Sequence, residues 1–282
     1  MENIINIKGL SKCYRQVQAL DGVDLQIPRG RIVGLLGKNG AGKSTMLKCM
    51  LDFLNFEGEI NFFDKNIKDW NYELHKKVAF IPDVSGLDPR LTVRETLEYA
   101  AGINSCFNKE KAERLFEKSE LPCDRKVKTL SKGMKTKLYL LLTLAKDVDV
   151  LLLDEPTLGL DIVFRQEFYD LLLGEFFDEN KTVIISTHQV AEVENILHDI
   201  VFIDKGKIIL HQEMEKLKQE WSIVEMSADK EEELKNMGAR SIVKSLGKVR
   251  GIVNKKTEGM VPTVSDIFVA MLGREGEGNA TV

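Results

Sequence analysis

Between residues 37 and 45 the chain reads Gly37-Lys38-Asn39-Gly40-Ala41-Gly42-Lys43-Ser44-Thr45, which matches the pattern G-x-x-x-x-G-K-[S/T]. This loop follows an apolar segment, Ile32–Leu36, and precedes a helical one. Its glycines let backbone N–H groups turn toward phosphates, and the helix N-terminus adds partial positive charge. Lys43 is expected to reach the β- and γ-phosphates, and Ser44 to offer its hydroxyl to Mg²⁺. The whole stretch therefore predicts a binding site for a nucleoside triphosphate.

Two adjacent acids, Asp154 and Glu155, follow a mostly apolar run, Val148–Leu153, that is typical of a buried strand. An acid at such a strand end can face Mg²⁺ beside the phosphate-binding loop, which makes Asp154 a candidate metal ligand. Glu155 then lies just off the metal and can orient and polarise a water in line with the γ-phosphate. The alternative is that both acids only cap the turn at Pro156-Thr157.

Further segments occur in a characteristic order. They are Leu130-Ser131-Lys132-Gly133-Met134-Lys135, Leu158-Gly159-Leu160-Asp161 and His188, which follows an apolar strand. Together with the phosphate-binding loop they resemble the ATP-binding cassette (ABC) ATPases, whose signature motif is usually LSGGQ, whose D-loop follows the paired acids and whose switch histidine comes last. Tyr14 lies where this family has an aromatic residue that stacks on adenine. The resemblance extends from about residue 5 to about residue 210.

This resemblance implies roles for the matching residues. In the family the signature Ser and Gly bind the γ-phosphate of the nucleotide held by the other subunit, which corresponds here to Ser131 and Gly133. Asp161 of the D-loop joins the same nucleotide-binding set, and His188 contacts the γ-phosphate. The activity implied is ATP hydrolysis, with ATP and Mg²⁺ bound between two facing cassettes.

Each of the weaker pieces has a plainer alternative. Tyr14 alone fits a strand-surface aromatic, and Ser131 with Gly133 fits a helix cap, since a Ser near a helix start satisfies free backbone amides. A lone histidine after a strand is often a hydrogen-bonded structural residue. The order of the segments is what favours the functional interpretation of His188.

The chain departs from the family pattern at two places. Asp83 stands where the family has a Gln whose side-chain oxygen reaches Mg²⁺, and no Gln occurs between Gln26 and Gln166. A carboxylate is a harder ligand for Mg²⁺ than an amide, so we hypothesise that Asp83 approaches the metal directly or through water; the alternative is a solvated loop acid. Within the signature, Lys132 and Met134 replace Gly and Gln, and Lys132 is interpreted as exposed rather than phosphate-facing.

Composition bounds the class of protein. The 282 residues are 43% hydrophobic and 30% charged, with a formal net charge of −4, and no dense basic patch with interleaved aromatics occurs. These values are ordinary for a globular protein and argue against a nucleic-acid partner. The four cysteines have no metal-like spacing, which fits reduced thiols in the cytoplasm. No apolar run is long enough to span a bilayer, so a peripheral position on the cytoplasmic face of the cell membrane is expected.

Together with the resemblance, the pattern along the chain predicts an α/β fold: a P-loop ABC ATPase core with an antiparallel β subdomain and, as the resemblance implies, a helical subdomain, plus a small C-terminal α+β appendage. The cassette is expected over 1–212, its helical subdomain over about 83–145, and the appendage over 213–273. The strands of Ile32, Leu151 and Val183 are expected to lie side by side in a parallel sheet. The polar, glycine-rich tail 274–282 is expected to be disordered.

The resemblance narrows the function to one subunit of a membrane machine. The signature follows the phosphate-binding loop too closely for long coiled coils, and the chain has one cassette, which leaves the ATP-binding subunit of a transporter, of the bacterial export type. Its partners would be an integral membrane permease, docking near 83–97, and a second cassette, as a homodimer or as a heterodimer with a paralogue. A soluble regulatory ATPase and a non-hydrolysing nucleotide-binding module are the alternatives.

Overall fold

The computed structural model describes residues 2–83, 86–257 and 259–272. Its strands and helices are β1 (Asn3–Tyr14), β2 (Val17–Pro28), β3 (Ile32–Leu36), α1 (Lys43–Met50), β4 (Glu57–Phe62), β5 (Lys65–Asn66), β6 (Val78–Ile81), α2 (Val93–Ile103), α3 (Lys109–Glu117), α4 (Lys132–Leu144), β7 (Val150–Asp154), α5 (Ile162–Glu175), β8 (Thr182–Thr187), β9 (Asp199–Asp204), β10 (Lys207–Glu213), α6 (Met214–Glu220), β11 (Ser222–Ser227), α7 (Glu231–Asn236), β12 (Arg240–Ser245), β13 (Lys248–Val253) and α8 (Val264–Leu272). The tail 274–282 lies outside the described residues.

The central sheet has the order β10-β9-β3-β8-β7-β6. Strands β9, β3, β8, β7 and β6 run parallel, and β10 pairs antiparallel with β9. The expected neighbourhood of the Ile32, Leu151 and Val183 strands is confirmed, with β8 between the other two. Because parallel strands end at the same edge, the loops after β3, β7 and β8 meet there.

A second sheet, β2-β1-β4-β5, is antiparallel and forms the predicted β subdomain. Its apolar side chains share one core with α1 and with one face of the central sheet, for example Ile7, Leu47 and Leu152. The other face of the central sheet, including Leu151, packs with α4 and α5 in a separate core. The phosphate-binding loop and α1 are thus held between the two sheets.

The helical segment carries α2, α3 and α4. Helix α2 begins with a capping box: Thr92 Oγ1 accepts from the Glu95 amide at 3.1 Å, and Glu95 Oε2 accepts from the Thr92 amide at 2.7 Å. The hydroxyl also donates to the same Glu95 oxygen at 3.0 Å. These bonds lower the pKa of the Glu95 carboxyl. This reciprocal pairing satisfies two free backbone donors of the helix start.

The C-terminal appendage has the sheet order β11-β13-β12, flanked by helices. Strands β12 and β13 are joined by a turn at Gly247, which has φ of 76°. Trp221, Ile223 and Ile267 are buried in the same core as Phe202 of the central sheet. At these residues the appendage shares an apolar core with the cassette. Within the described residues, no helix combines the length and apolarity needed to cross a membrane.

Candidate nucleotide site

The phosphate-binding loop joins the end of β3 to the start of α1, as predicted. Gly40 and Gly42 have φ of 81° and 114°, in the region that favours glycine. A Cβ on Gly42 would lie 2.7 Å from the Ala19 carbonyl oxygen, so no side chain fits there. Nothing lies within 4 Å of the corresponding Cβ position at Gly40. The loop is thus backed by β2 at Gly42 and open at Gly40.

Lys43 is the buried cation of this loop, with its side chain 5% exposed. Its Nζ donates to the carbonyl oxygens of Gly37 at 2.8 Å and Lys38 at 3.3 Å. The same Nζ lies 3.2 Å from Glu155 Oε1. The ammonium is therefore held by oxygen atoms at the mouth of the loop, an arrangement suited to meeting a phosphate oxygen.

Ser44 and Asp154 come together from separate segments. Ser44 Oγ donates to Asp154 Oδ1 at 2.9 Å, and Ser186 Oγ of β8 donates to the same oxygen at 2.6 Å. Asp154 is 2% exposed. A carboxylate and a hydroxyl are hard oxygen donors of the kind that Mg²⁺ prefers, so this donor set fits the metal expected at such a loop.

Glu155 and His188 form a pair beside Lys43. Glu155 Oε2 lies 2.9 Å from His188 Nδ1, and the Glu155 side chain is 11% exposed. The backbone of Glu155 has φ of 46°, a left-handed conformation that costs a non-glycine residue about 1–2 kcal/mol. Its amide donates to the Ser186 carbonyl at 3.0 Å, which helps to hold this conformation. This strained backbone conformation directs the Glu155 carboxylate toward both Lys43 and His188.

Tyr14 ends β1 and is 43% exposed. Its partner across the hairpin is Val17. Two residues after Val17 comes Ala19, whose carbonyl oxygen packs against Gly42 of the phosphate-binding loop. The Lys12 ammonium lies 5.1 Å from the Tyr14 ring centroid. An exposed aromatic on a hairpin that touches the phosphate-binding loop is compatible with an adenine platform and with a strand-surface residue.

The signature and D-loop residues have roles within this chain. Ser131 caps α4 by accepting from the Met134 amide at 3.2 Å, and Asp161 caps α5 by accepting from the Phe164 amide at 3.0 Å. A Cβ on Gly133 would lie 2.8 Å from the Phe164 ring, so glycine lets α4 approach α5. In the described part of the chain, these residues make no hydrogen bond or ion pair with Lys43.

Of the residues that depart from the family pattern, Asp83 and Lys132 lie on the surface, whereas Met134 is partly buried and packs against the apolar core. Asp83 follows β6 after one residue and is exposed, and the next two residues lie outside the described ranges. Lys132 is exposed, as expected, and its Nζ also donates to the Leu158 carbonyl of the D-loop. This contact ties the start of α4 to the D-loop, which sequence reasoning missed.

Ser186 is a second residue that sequence reasoning missed. It lies beside Asp154 in the register of β7 and β8 and is fully buried. Strand β8 carries three hydroxyl side chains, Thr182, Ser186 and Thr187, and it is the strand pairing that distinguishes Ser186 from the two threonines.

Comparisons with known proteins agree with this geometry. The ABC transporter family model matches residues 20–158, and a model of an AAA domain matches 123–194. The bacitracin transport ATP-binding protein BcrA of Enterococcus faecalis is 32% identical over 212 residues, covering 74% of this chain and 69% of that protein. This chain belongs to the ABC transporter family.

Two further relatives of this ABC ATP-binding subunit are informative. The Nod factor export ATP-binding protein I of Burkholderia pseudomallei is 34% identical over 211 residues, covering 73% of this chain and 69% of that protein. A solved ATP-binding subunit of an ABC transporter superposes with a TM-score of 0.67 at 25% identity, covering 76% of this chain and 92% of that one. The expectations of an ABC ATPase fold, of an ATP-binding transporter subunit and of ATPase activity are confirmed.

Proposed function

We propose that this ABC subunit binds Mg-ATP at the loop of residues 37–45, hydrolyses it, and drives an integral membrane permease by closing on a second cassette. The observation that carries the proposal is the direct contact of Lys43 with Glu155 and of Glu155 with His188, beside the Ser44–Asp154 pair. These groups come from distant segments of the chain. Packing of the apolar core alone does not account for charged groups from distant segments meeting at one edge of the sheet, whereas a shared catalytic role does.

Each side chain has a role that follows from its position. Lys43 and the loop amides bind the phosphates, and Ser44 with Asp154 holds Mg²⁺, which neutralises phosphate charge when bound. Glu155 orients and deprotonates the attacking water, while His188 holds the Glu155 carboxylate and contacts the γ-phosphate. When ATP arrives, Lys43 exchanges its contact with Glu155 for a phosphate oxygen, which frees the carboxylate for water.

A second cassette completes the site in this proposal. Ser131, Gly133 and Asp161 are expected to face the nucleotide of the partner, which agrees with their lack of bonds to Lys43 in the described residues. Because one chain carries the loop, the acids and the signature, two copies suffice, and a heterodimer with a paralogous cassette meets the same requirement. Ser131 and Asp161 retain their helix caps in either case.

We further propose that the transporter is an exporter and that this subunit lies peripherally on the cytoplasmic face of the cell membrane. The name of the Burkholderia relative supports export, since that protein acts in Nod factor export. The test is purification of the tagged chain from membranes in mild detergent. An integral membrane protein should co-purify and stimulate ATP hydrolysis, whereas hydrolysis without such a partner would favour a soluble regulatory ATPase.

Replacing Tyr14 by Ala should raise the Kd for ATP about 10-fold, because stacking of a base on an aromatic ring contributes roughly 1–3 kcal/mol. Tyr14→Phe should bind as the native chain does. Titration with a fluorescent ATP analogue measures the effect, and Val17→Ala, at the exposed partner position of the same hairpin, is the control. An unchanged Kd in Tyr14→Ala would leave Tyr14 as a strand-surface residue.

Replacing Asp83 by Ala should raise the Mg²⁺ concentration needed for half-maximal hydrolysis about 10-fold, the scale seen when a group that supports a metal ligand is removed. The measurement is a Mg²⁺ titration of hydrolysis at saturating ATP. Asp124→Ala removes an exposed carboxylate elsewhere in the helical segment and should change nothing. A titration curve identical to the native one would remove Asp83 from the metal site.

A further inference from the structure

Glu192 is a buried carboxylate that the mechanism above does not use. It ends a short turn of 3-10 helix, Val190–Glu192, four residues after His188, and its side chain is 10% exposed. Oε1 lies 2.6 Å from Arg165 Nη1, and Oε2 accepts from Thr157 Oγ1 at 3.0 Å. Both oxygens of one carboxylate are therefore bound to groups from other parts of the chain.

The partners of Glu192 belong to the segments that carry the proposed chemistry. Thr157 lies in the turn two residues after Glu155. Arg165 lies in α5, and its Nη2 donates to the Leu160 carbonyl of the D-loop at 3.2 Å. One carboxylate thus links the His188 loop, the Glu155 turn and the D-loop.

Tyr169 completes this cluster. Its hydroxyl lies 3.2 Å from Thr157 Oγ1, and burial raises the pKa of Tyr169 to about 12. The phenol stays protonated at neutral pH and remains a hydrogen-bond partner of Thr157. The Thr157 side chain is consequently fixed from two sides, by Glu192 and by Tyr169.

Fixing Thr157 matters because the turn before it is strained. Glu155 has φ of 46°, and such a conformation persists only where the surroundings hold it. The Glu155–His188 contact joins the β7 turn to the β8 loop, and the Glu192–Thr157 bond joins the same two segments a second time. Two bridges fix the relative position of these segments better than one.

We propose that Glu192 is a positioning residue for ATP hydrolysis, which keeps Glu155 and His188 in their productive arrangement through Thr157 and Arg165. The proposal rests on the roles proposed above for Glu155 and His188. Loss of the Glu192 charge would leave the Arg165 guanidinium, whose side chain is 25% exposed, without its carboxylate. Its Nε is already buried without a partner in the described residues. Arg165 would then shift toward water and carry the Leu160 carbonyl with it.

The test is the Glu192→Gln variant, which keeps the shape of the side chain and removes its charge. Because small misplacements of catalytic groups can cost about 100-fold in rate, kcat should fall roughly 10- to 100-fold, with KM for ATP unchanged. Arg165→Gln should lose a similar factor, and the double variant should lose no more than the worse single variant. Hydrolysis is measured on the purified chain, or on the complex with its membrane partner if the chain alone shows no turnover.

Glu194→Gln is the matched control. Glu194 lies two residues further on, has a side chain that is 16% exposed against 10% for Glu192, and pairs with Lys218 at 3.1 Å, but it faces the appendage through the Val264 amide. It should retain the native kcat. Equal losses in both variants would show general destabilisation and overturn the proposal, as would a native kcat or a raised KM in Glu192→Gln.

A second readout does not depend on activity. The chain has four histidines, so selective ¹⁵N-histidine labelling gives few ring signals, and His188→Ala assigns those of His188. These signals should shift in Glu192→Gln and stay in place in Glu194→Gln, because only the first variant loosens the Glu155–His188 contact. If Glu155→Gln abolishes hydrolysis while Glu192→Gln leaves both rate and signals native, the positioning proposal alone fails. If Glu155→Gln still hydrolyses ATP, the proposed role of Glu155 fails instead.

Discussion

Glu155→Gln should lower kcat for ATP hydrolysis at least about 100-fold, because a positioned general base contributes that much or more. The amide cannot take a proton from water, yet it keeps the size of the side chain and removes the negative charge that faces the γ-phosphate. ATP should therefore still bind, and the variant should accumulate as an ATP-bound dimer. The measurements are phosphate release and size-exclusion mass in Mg-ATP, native chain against variant.

Glu167→Gln is the control for this experiment, since it makes the same chemical change on α5 at a carboxylate that pairs with Lys137. It should hydrolyse ATP as the native chain does. Native turnover in Glu155→Gln would mean that another group activates the water. If the native chain itself is inactive, and the native chain and Glu155→Gln both stay monomeric in Mg-ATP, the prediction of a homodimer is wrong. Hydrolysis then requires a paralogous cassette or the permease.

Lys43→Met should raise the Kd for ATP about 100-fold or more, because removing one partner of a buried, hydrogen-bonded charge pair costs roughly 2–5 kcal/mol. The Lys43 side chain is 5% exposed, and its ammonium is held by the Gly37 and Lys38 carbonyls. Calorimetric titration with ATP measures the effect, and the ATP-dependent rise in Tm should disappear with it.

Lys48→Met supplies the matched control, because Lys48 is an exposed lysine in the last turn of the same helix. Its ATP affinity should be native. The Tm without nucleotide should also be compared, since Lys43→Met removes the cation next to Glu155. A variant that binds ATP normally but fails to hydrolyse it would restrict Lys43 to stabilising the transition state.

Much of this architecture was predictable from local patterns. The phosphate-binding loop predicted its own strand and helix, and the apolar runs predicted adjacent parallel strands. These features depend on residues close in sequence, or on the regular alternation of strand and helix patterns that is typical of α/β folds. The same patterns also predicted that Asp154 lies beside the phosphate-binding loop that carries Ser44.

The contacts that were missed depend on long-range geometry. Ser186 matters because strand register sets it beside Asp154, and Glu192 matters because a turn brings it to Arg165. No local pattern distinguishes Glu192 from Glu194, although their side chains face different parts of the molecule. Ser131 shows another limit, since one hydroxyl can cap a helix here and still be expected to meet a phosphate across an interface.

The shared core of cassette and appendage has a consequence for protein engineering. The Phe202 and Phe268 ring centroids lie 4.9 Å apart, and Trp221 and Ile223 are buried in the cassette's own apolar cluster. Cutting the chain near residue 220 would expose this apolar surface to water. Any change seen in the truncated protein would then reflect lower solubility as well as the loss of the appendage. A chimera that exchanged appendages between relatives would need the matching half of this contact surface transplanted with it.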